Sequence, residues 1–349
     1  MENFTTSDYY DDYSYDYNDS SLVDYMEVGE SESSFSLFSA VCYSLIFCLS
    51  VSGNCFLLWV LLRQRDCKTT SGFLLLHLTT SDLCFTVTLP FWAYYHLHGW
   101  IFGDFACKII SGAFFLGLYS YMAFLTAMTL DRYVAVVHAV STSAQVRRKS
   151  CALLASVGIW LLCAAVSLME TVNSETRDDG FGGIECVDSS QSLTMKLFGL
   201  YLQIGLFFLV PFSIITFCYV RMGMTIRHCR LRGRNQALRL FLGIIVGFFI
   251  CWAPYNVMLF LHSLEMLGVQ LLNTAGWREA MPYGYYISHT LAYCHCCLNP
   301  LFHVFGAERF RRRLPVPCKT SSPGREMSQN LSTYASGQPH ASVSQQTFV

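Results

Sequence analysis

The chain has 349 residues, of which 53% are hydrophobic, 15% aromatic and only 13% charged. Because an ordinary soluble domain carries about 25% charged residues, this composition argues against the soluble enzyme classes. The 23 basic and 24 acidic side chains leave a formal net charge of -1, so the chain lacks the basic excess that a nucleic-acid partner requires.

Residues 1–35 are predicted to form an acidic, tyrosine-rich tail outside the membrane. Residues 1–34 contain no Lys or Arg and no apolar core of a cleavable signal peptide, so we expect the first helix to act as the membrane signal. A flexible acidic strip attracts a basic protein and steers its encounter. The tyrosines in that strip, which are also candidates for sulfation, are Tyr9, Tyr10, Tyr13, Tyr15 and Tyr17.

The same tail contains two glycosylation sequons, which begin at Asn3 and Asn18. The alternative interpretation of the whole segment is a solvated tail without a binding role.

Seven apolar stretches are long enough to cross a bilayer at a rise of about 1.5 Å per residue. Six contain no Asp, Glu, Lys or Arg, and the second is interrupted only by Asp82. The stretches are residues 35–62, 71–97, 109–130, 150–169, 197–220, 240–264 and 280–307. The sequence therefore predicts an all-α membrane protein with a bundle of seven transmembrane helices over residues 36–305.

The basic residues between the spans predict the orientation of the bundle. They gather at 63–68, 147–149, 227–234 and 309–313, after the first, third, fifth and seventh spans. By the positive-inside rule these loops face the cytoplasm. We therefore expect a multi-pass plasma-membrane protein with its N-terminus outside and its C-terminus inside.

Asp82 is an acidic residue deep within a predicted span, where a charge costs about 2.5 to 3.5 kcal/mol on insertion scales. We expect it to face the bundle interior and to find a cation or polar partners. Asn54 and Asn299 are the candidates for a shared polar network. Structural bonding between helices is the alternative role for Asn54.

Asp131-Arg132-Tyr133 lies at the inner end of the third span. Arg132 is predicted to exchange Asp131 for an entering cytoplasmic partner or for Tyr219, which would give a two-state switch. An arginine that merely extends to the membrane interface is the alternative.

Prolines and a pair of cysteines mark further structural features of the spans. Trp252 comes shortly before Pro254, so the ring and the helix kink are expected to move together. Pro90 and Pro211 predict two more kinks. Cys107 and Cys186 both lie on the oxidising side in the predicted topology, so they form the most economical disulfide.

Residues 36–314 resemble the rhodopsin-like G-protein-coupled receptors. The matching residues are Gly53, Asn54, Leu78, Asp82, Cys107, Cys186, Asp131, Arg132, Tyr133, Trp160, Pro211, Tyr219, Cys251, Trp252, Ala253, Pro254, Asn299 and Pro300. Within that family the chain is similar to chemokine receptors, through Trp100 and the segments TLPFWA, DRYVAVVHAV, WAPYN and HCCLNP. The runs LYSYMAFLTAMTLDRY and CWAPYNVMLFLHSL are most similar to the XC type, whereas DRYVAVVHAV is equally like the CC type.

The resemblance implies a receptor that binds a basic chemokine and activates an inhibitory-type heterotrimeric G protein, leading to chemotaxis and calcium signalling. The tail would hold the chemokine core, and its N-terminus would enter a cup between the helices. The implied pocket residues are Trp92, Trp100, Phe114, Phe115, Tyr255, Tyr286 and His289. A CC-type receptor, or an atypical receptor that takes up chemokine without G-protein coupling, is the alternative.

At the inner face, Arg132 and the 221–239 stretch would receive the G protein. Residues 306–314 are expected to form a short amphipathic helix on the membrane surface, with Cys318 as a candidate for palmitoylation. The Ser/Thr-rich cytoplasmic tail, residues 315–349, would bind arrestin after phosphorylation by receptor kinases.

Three residues depart from the family pattern. His303 stands where the family has a tyrosine, His289 where many relatives have an acid, and Tyr121 where a serine is usual near Asp82. The change at His303 predicts altered basal activity, and the change at His289 predicts an altered ligand preference. In the family a sodium ion binds near Asp82, and Tyr121 predicts that this binding is altered. Opsin function is excluded because residues 280–307 contain no Lys, and no grouping of residues predicts catalysis or a metal site.

Overall fold

The chain folds into long helices joined by short connections. The computed structural model describes residues 30–63, 69–137, 142–180, 182–190, 192–228, 234–269 and 275–300. Its helices are α1 (Glu30–Arg63), α2 (Thr70–Thr86), α3 (Leu89–His98), α4 (Gly103–Val137), α5 (Thr142–Asn173), α6 (Leu193–Ile204), α7 (Val210–His228), α8 (Arg234–Met266) and α9 (Ala275–Tyr293). Two strands, β1 (Ser174–Asp178) and β2 (Ile184–Asp188), form an antiparallel hairpin between α5 and α6.

Six helical segments of the described chain are long and apolar enough to cross a membrane. They are Phe35–Arg63, Thr70–His98, Gly103–Val137, Arg148–Asn173, Leu193–Thr225 and Ile245–Met266. The seventh predicted span, 280–307, is described as far as Pro300 and consists of α9 followed by the 3-10 turn Cys294–Cys297. These elements agree with the predicted seven-helix bundle. Helix α1 begins at Glu30, so its first turn lies within the segment predicted to be tail.

Two of the predicted kinks are visible as breaks in helical geometry. The second span divides at Val87–Thr88, and Pro90 lies in the first turn of α3. The Thr88 hydroxyl donates a hydrogen bond to the carbonyl oxygen of Phe85 at 2.7 Å, which satisfies an acceptor at the break. In the fifth span a π-helical turn, Gly205–Leu209, separates α6 from α7 just before Pro211. A proline lacks the N–H that would bond four residues back, so a break of this kind is expected there.

Large apolar side chains on the outward helix faces are exposed to the surroundings rather than buried. On α5, for example, Leu154 is 73% and Leu161 is 68% exposed. Contiguous apolar surface of this kind marks a membrane interaction. The interior is packed instead with aromatic side chains such as Phe85, Tyr121, Phe248 and Trp252, each at most 1% exposed.

The β hairpin covers one end of the bundle, which we call the hairpin end. Cys186 on β2 is joined to Cys107 on α4 by a disulfide, so the predicted pairing is confirmed. The amide of Trp100 donates to the carbonyl oxygen of Ile184 at 2.7 Å, which fixes the hairpin to the α3–α4 connection as well. The opposite end, where α4 carries Asp131, is called the Asp131 end.

Candidate functional site

A cavity opens at the hairpin end of the bundle. Helices α1, α3, α4, α5, α8 and α9 supply its walls, and strands β1 and β2 supply part of its rim. Its lining residues are Tyr43, Trp92, His96, Ser111, Phe114, Phe115, Glu170, Ser174, Cys186, Val187, Asp188, Tyr255, His289 and Tyr293. A concave, mainly apolar space with a few polar groups is the usual form of a ligand site.

Five of the seven predicted pocket residues line this cavity, namely Trp92, Phe114, Phe115, Tyr255 and His289. The other two lie beside it. Trp100 is 1% exposed, its ring packs 5.6 Å from that of Trp92, and its indole N–H donates to the carbonyl oxygen of Gly103 at 3.0 Å. Tyr286 contacts the ring of His96 at 5.9 Å. In this conformation Trp100 supports the wall of the cavity and does not form it.

Both ring nitrogens of His289 are engaged by phenols. Its Nδ1 lies 3.1 Å from the Tyr43 hydroxyl, and its Nε2 lies 3.0 Å from the Tyr293 hydroxyl. Neither tyrosine was identified by sequence analysis, because both occur in apolar stretches where an aromatic residue normally belongs to the core. Together the three side chains tie α1 to α9 at the base of the cavity.

Two carboxylates in the cavity were also missed by sequence analysis. Glu170 lies near the end of α5 and is 9% exposed, and the predicted span ended one residue before it. Asp188 ends β2 and accepts hydrogen bonds from the amide and the hydroxyl of Ser190 at 2.9 and 2.6 Å. The sequence feature that could have identified Glu170 as a buried residue is its position directly after an apolar stretch.

Midway through the bundle, Asp82 has the partner that the sequence predicted. The Asn299 side-chain amide donates to Asp82 Oδ2 at 2.7 Å. Asn54 donates to the carbonyl oxygen of Cys296 at 2.9 Å and so joins the same part of the seventh span. His295 Nε2 lies 3.8 Å from Asp82 Oδ1, and this neighbour was not assigned from the sequence.

The same region has donor atoms that suit a small cation. One side-chain oxygen each of Asp82, Asn54 and Asn299 is buried with no hydrogen-bond partner among the described residues. Hard cations take oxygen ligands of this kind, so the donor chemistry fits sodium. Tyr121 shares this space, because it interacts with Asp82 and Asn299 and its ring lies edge-on to that of His295 at 4.8 Å.

Trp252 connects the cavity to this polar centre. Its ring lies 5.7 Å from that of Tyr255, which lines the cavity, and 5.0 Å from that of His295. Pro254 lies inside α8 two residues later. A displacement of Tyr255 by a ligand would therefore press directly on Trp252.

At the Asp131 end, Asp131 is held by two side chains from outside α4. Arg148 donates to its two carboxylate oxygens from Nε at 2.5 Å and from Nη2 at 2.9 Å, and the Ser71 hydroxyl donates at 2.8 Å. The sequence predicts Arg148 only as one of the cytoplasmic bases, because nothing in it indicates that a residue 17 positions later returns to Asp131.

Arg132, Tyr133 and Pro300 are further predicted switch residues for which the structure gives neighbours. Arg132 is partly buried and interacts electrostatically with Asp131 and with Tyr219 on α7. The ring of Tyr133 lies 6.2 Å from that of Phe217. Pro300 packs closely on Gly53, because a Cβ added at Gly53 would lie 2.8 Å from the Cβ of Pro300.

Several predicted sites lie outside the described residues. They are the tail tyrosines Tyr9, Tyr10, Tyr13, Tyr15 and Tyr17, the sequons at Asn3 and Asn18, His303, the 306–314 helix and Cys318. They remain predictions.

Comparison with known proteins identifies the family. Residues 53–303 match the model of the 7 transmembrane receptor (rhodopsin family). The chain is 35% identical to human chemokine XC receptor 1 over 80% of each protein. It is 34% identical to mouse C-C chemokine receptor type 8, over 80% of this chain and 78% of the relative. It is 36% identical to mouse atypical chemokine receptor 2, over 86% of this chain and 80% of the relative.

The family model covers most of the chain, and the relatives match over most of their own length. Apart from Tyr43, the cavity residues, the central Asp82–Asn299 pair and the Asp131 cluster lie within the matched residues. The chain therefore belongs to the chemokine receptors of the rhodopsin family of seven-transmembrane receptors.

Proposed function

We propose that this chain is an XC-type chemokine receptor of the plasma membrane, with its hairpin end outside the cell. The observation that carries the proposal is the cavity at that end, which is lined by aromatic rings and two carboxylates. Its opening suits the flexible end of a protein ligand. The acidic N-terminal tail supports a basic chemokine as that ligand, because opposite charge steers association.

The Asp131 end supports coupling to a heterotrimeric G protein of the inhibitory type, with chemotaxis and calcium signalling as the response. Arg132 interacts electrostatically with both Asp131 and Tyr219, so a cytoplasmic partner that contacts its guanidinium would select one of two arrangements. The Ser/Thr-rich tail supports later binding of arrestin after receptor kinases phosphorylate it. A sodium ion at Asp82 would stabilise the resting arrangement of the polar centre.

The test is suppression of cyclic AMP in cells that express the full chain and receive a panel of XC, CC and CXC chemokines. We expect a pertussis-toxin-sensitive response to an XC ligand, and we expect Arg132→Ala to lose that response while keeping surface expression and binding. A response confined to CC ligands would assign the chain to the CC type. The absence of binding by every chemokine would contradict the proposal.

The second candidate is an atypical receptor that internalises chemokine without activating a G protein. The similarity to mouse atypical chemokine receptor 2 favours it, whereas Asp131-Arg132-Tyr133 favours coupling. Uptake of labelled chemokine without any change in cyclic AMP or calcium would decide for the atypical function.

A further inference from the structure

A long groove lies between the fifth and sixth spans, toward the Asp131 end of the bundle. It is lined by α7 between positions 212 and 220 and by α8 between positions 242 and 254. Ile215 and Ile245 lie deepest in it, because they line the groove and are only 1% and 6% exposed. Its lining includes no Asp, Glu, Lys or Arg among the residues that the structure describes. The groove therefore suits an apolar occupant.

The groove opens to the hydrocarbon of the bilayer. Both helices contribute to membrane-spanning segments, Leu193–Thr225 and Ile245–Met266. Val220, Val246 and Ile250 line the groove and are 56%, 47% and 60% exposed, as expected of side chains along its mouth. Apolar atoms that face an empty space lose their dispersion contacts, and hydrocarbon is the material available at this depth. We therefore expect a lipid chain in the groove.

The length of the groove corresponds to one leaflet of the membrane. Leu242 and Pro254, the first and last lining residues of α8, are separated by a helix of about 18 Å at a rise of about 1.5 Å per residue. The hydrocarbon core of a bilayer is about 30 Å thick, so one leaflet contributes about 15 Å. A single hydrocarbon chain that lies parallel to the helices would fill the groove from end to end.

Two basic positions continue the lined helix faces beyond the groove at the Asp131 end. Arg227 on α7 comes two turns after the lining residue Val220, and Arg239 on α8 comes one turn before the lining residue Leu242. At about 100° per residue, these spacings keep each arginine position within about 60° of that lining residue. The headgroup of a lipid whose chain fills the groove would lie near these positions. An anionic headgroup is favoured there, because basic residues at a membrane surface attract anionic lipids.

We propose that the groove between α7 and α8 binds an anionic phospholipid, with one acyl chain in the groove and the phosphate beside positions 227 and 239. The chain contacts Tyr219, which interacts electrostatically with Arg132, and Ala253, which directly follows Trp252. It fills the space between two spans and so stabilises their observed arrangement. The site is separate from the cavity at the hairpin end, and its test requires neither a chemokine nor a G protein.

The first experiment measures the melting temperature of the full-length receptor, delipidated in detergent and titrated with dioleoylphosphatidylglycerol or dioleoylphosphatidylcholine. The two lipids have the same chains and differ in the net charge of the headgroup. We expect the anionic lipid to reach half-maximal stabilisation at a concentration at least tenfold lower than the zwitterionic lipid. Equal half-maximal concentrations, or no stabilisation by either lipid, would overturn the proposal.

A short-chain lipid tests the role of the groove separately from that of the headgroup. Dihexanoylphosphatidylglycerol carries the same anionic headgroup on chains too short to fill the groove. We expect its half-maximal concentration to be at least tenfold higher than that of the dioleoyl lipid. If the two lipids act at the same concentration, the headgroup alone accounts for binding and the groove does not hold the chain.

Two valines of α8 provide matched variants that locate the chain. Val246→Trp places a large ring in the groove, whereas Val257→Trp places it at a valine that is 55% exposed and does not line the groove. We expect the first change to raise the half-maximal concentration of dioleoylphosphatidylglycerol at least tenfold and the second to leave it unchanged. Equal values for the two variants would contradict the site. If Val246→Trp does not fold, Ile250→Trp makes the same test within the groove.

Charge variants locate the headgroup. We expect Arg227→Gln combined with Arg239→Gln to remove the preference for phosphatidylglycerol over phosphatidylcholine. The control combines Arg63→Gln, in the last turn of α1, with Lys149→Gln, an exposed base on α5, so it removes the same charge from other spans. A retained preference in the first double variant, or an equal loss in the control, would show that the phosphate does not lie beside positions 227 and 239.

A sterol is the competing occupant. We expect cholesterol to stabilise the wild-type receptor and Val246→Trp equally, because it does not depend on this groove. If cholesterol acts at a lower concentration than dioleoylphosphatidylglycerol and loses its effect in Val246→Trp, the groove binds a sterol and the phospholipid assignment is wrong.

Discussion

The Asp131 carboxylate is bound in a fork by Arg148, with both carboxylate oxygens accepting a hydrogen bond from one guanidinium. The Asp131 side chain is only 4% exposed and that of Arg148 is 24% exposed. Hydrogen bonds to a charged group contribute about 1.5 to 3 kcal/mol. We therefore expect Arg148→Ala to lower the free energy of unfolding by a similar amount, measured as a fall in the melting temperature of the purified receptor.

The neighbouring residue provides the control for this change. Lys149 is exposed, and Lys149→Ala removes the same charge from the same helix without touching Asp131. A wild-type melting temperature for Arg148→Ala, or an equal loss in Lys149→Ala, would show that the fork contributes nothing. Arg148→Lys keeps the charge but loses the two-pronged geometry, and we expect an intermediate value.

Tyr121 is expected to limit the sensitivity of the receptor to sodium. The unpaired oxygens of Asp82, Asn54 and Asn299 suit a cation, and the Tyr121 phenol shares their space. Tyr121→Ser should make room for the ion, so replacing choline chloride with sodium chloride should reduce agonist affinity more in the variant than in the wild type. Radioligand binding in the two salts measures this. An equal response to sodium would mean that Tyr121 does not control the site, and Tyr121→Ser combined with Asp82→Asn should abolish any gain.

Gly117 is expected to tolerate no side chain. A Cβ placed there would lie 2.5 Å from the backbone nitrogen of Phe85, and backbone cannot move aside as a flexible side chain can. Overpacking of this kind costs about 1 to 3 kcal/mol, so Gly117→Ala should lower the melting temperature. At Gly158, also within a helix, a Cβ would have no neighbour within 4 Å, and Ala there should raise stability by up to about 1 kcal/mol because alanine favours helix. Because the two substitutions are expected to change the melting temperature in opposite directions, each serves as the control for the other.

The hydroxyls of Tyr43 and Tyr293, which contact the two ring nitrogens of His289, are expected to contribute to stability in a coupled way. Tyr43→Phe and Tyr293→Phe each remove a buried hydrogen bond, for which about 1 kcal/mol is typical. Because both tyrosines bond the same imidazole, the double variant should depart from the sum of the single ones. Melting temperatures of the four receptors in this cycle measure the coupling, and exact additivity would indicate that the two bonds are independent.

The sequence predicted those features that follow from the membrane as a solvent. Apolar length located the spans, and the high cost of a buried charge led from Asp82 to Asn54 and Asn299 as candidate partners, of which Asn299 donates a hydrogen bond to it. The redox difference across the membrane led to the Cys107–Cys186 pairing. Each of these rests on a requirement that any membrane protein must meet, so no knowledge of helix packing was needed.

The contacts that the sequence did not predict depend on which face of each helix packs against its neighbour. Trp100 and Tyr286 were assigned to the pocket by resemblance, and the structure places both beside it. Arg148 and Glu170 were missed because a charge next to an apolar stretch is normally assigned to solvent. Their partners lie on other helices or on the hairpin, and a sequence read along one helix does not show which residues are brought opposite.

The π-helical turn Gly205–Leu209 sets the rotational phase of everything that follows it in the fifth span. Each α-helical residue advances the chain by about 100°, so one residue fewer in that turn would rotate α7 by the same angle. Within the turn, Phe207 stacks on Tyr119 with the ring centroids 3.9 Å apart. On the far side, Tyr219 interacts with Arg132. If Phe207 stays in contact with Tyr119, the deletion of a single residue from the turn would rotate Tyr219 away from Arg132. The length of this short turn therefore determines whether both contacts can form at the same time.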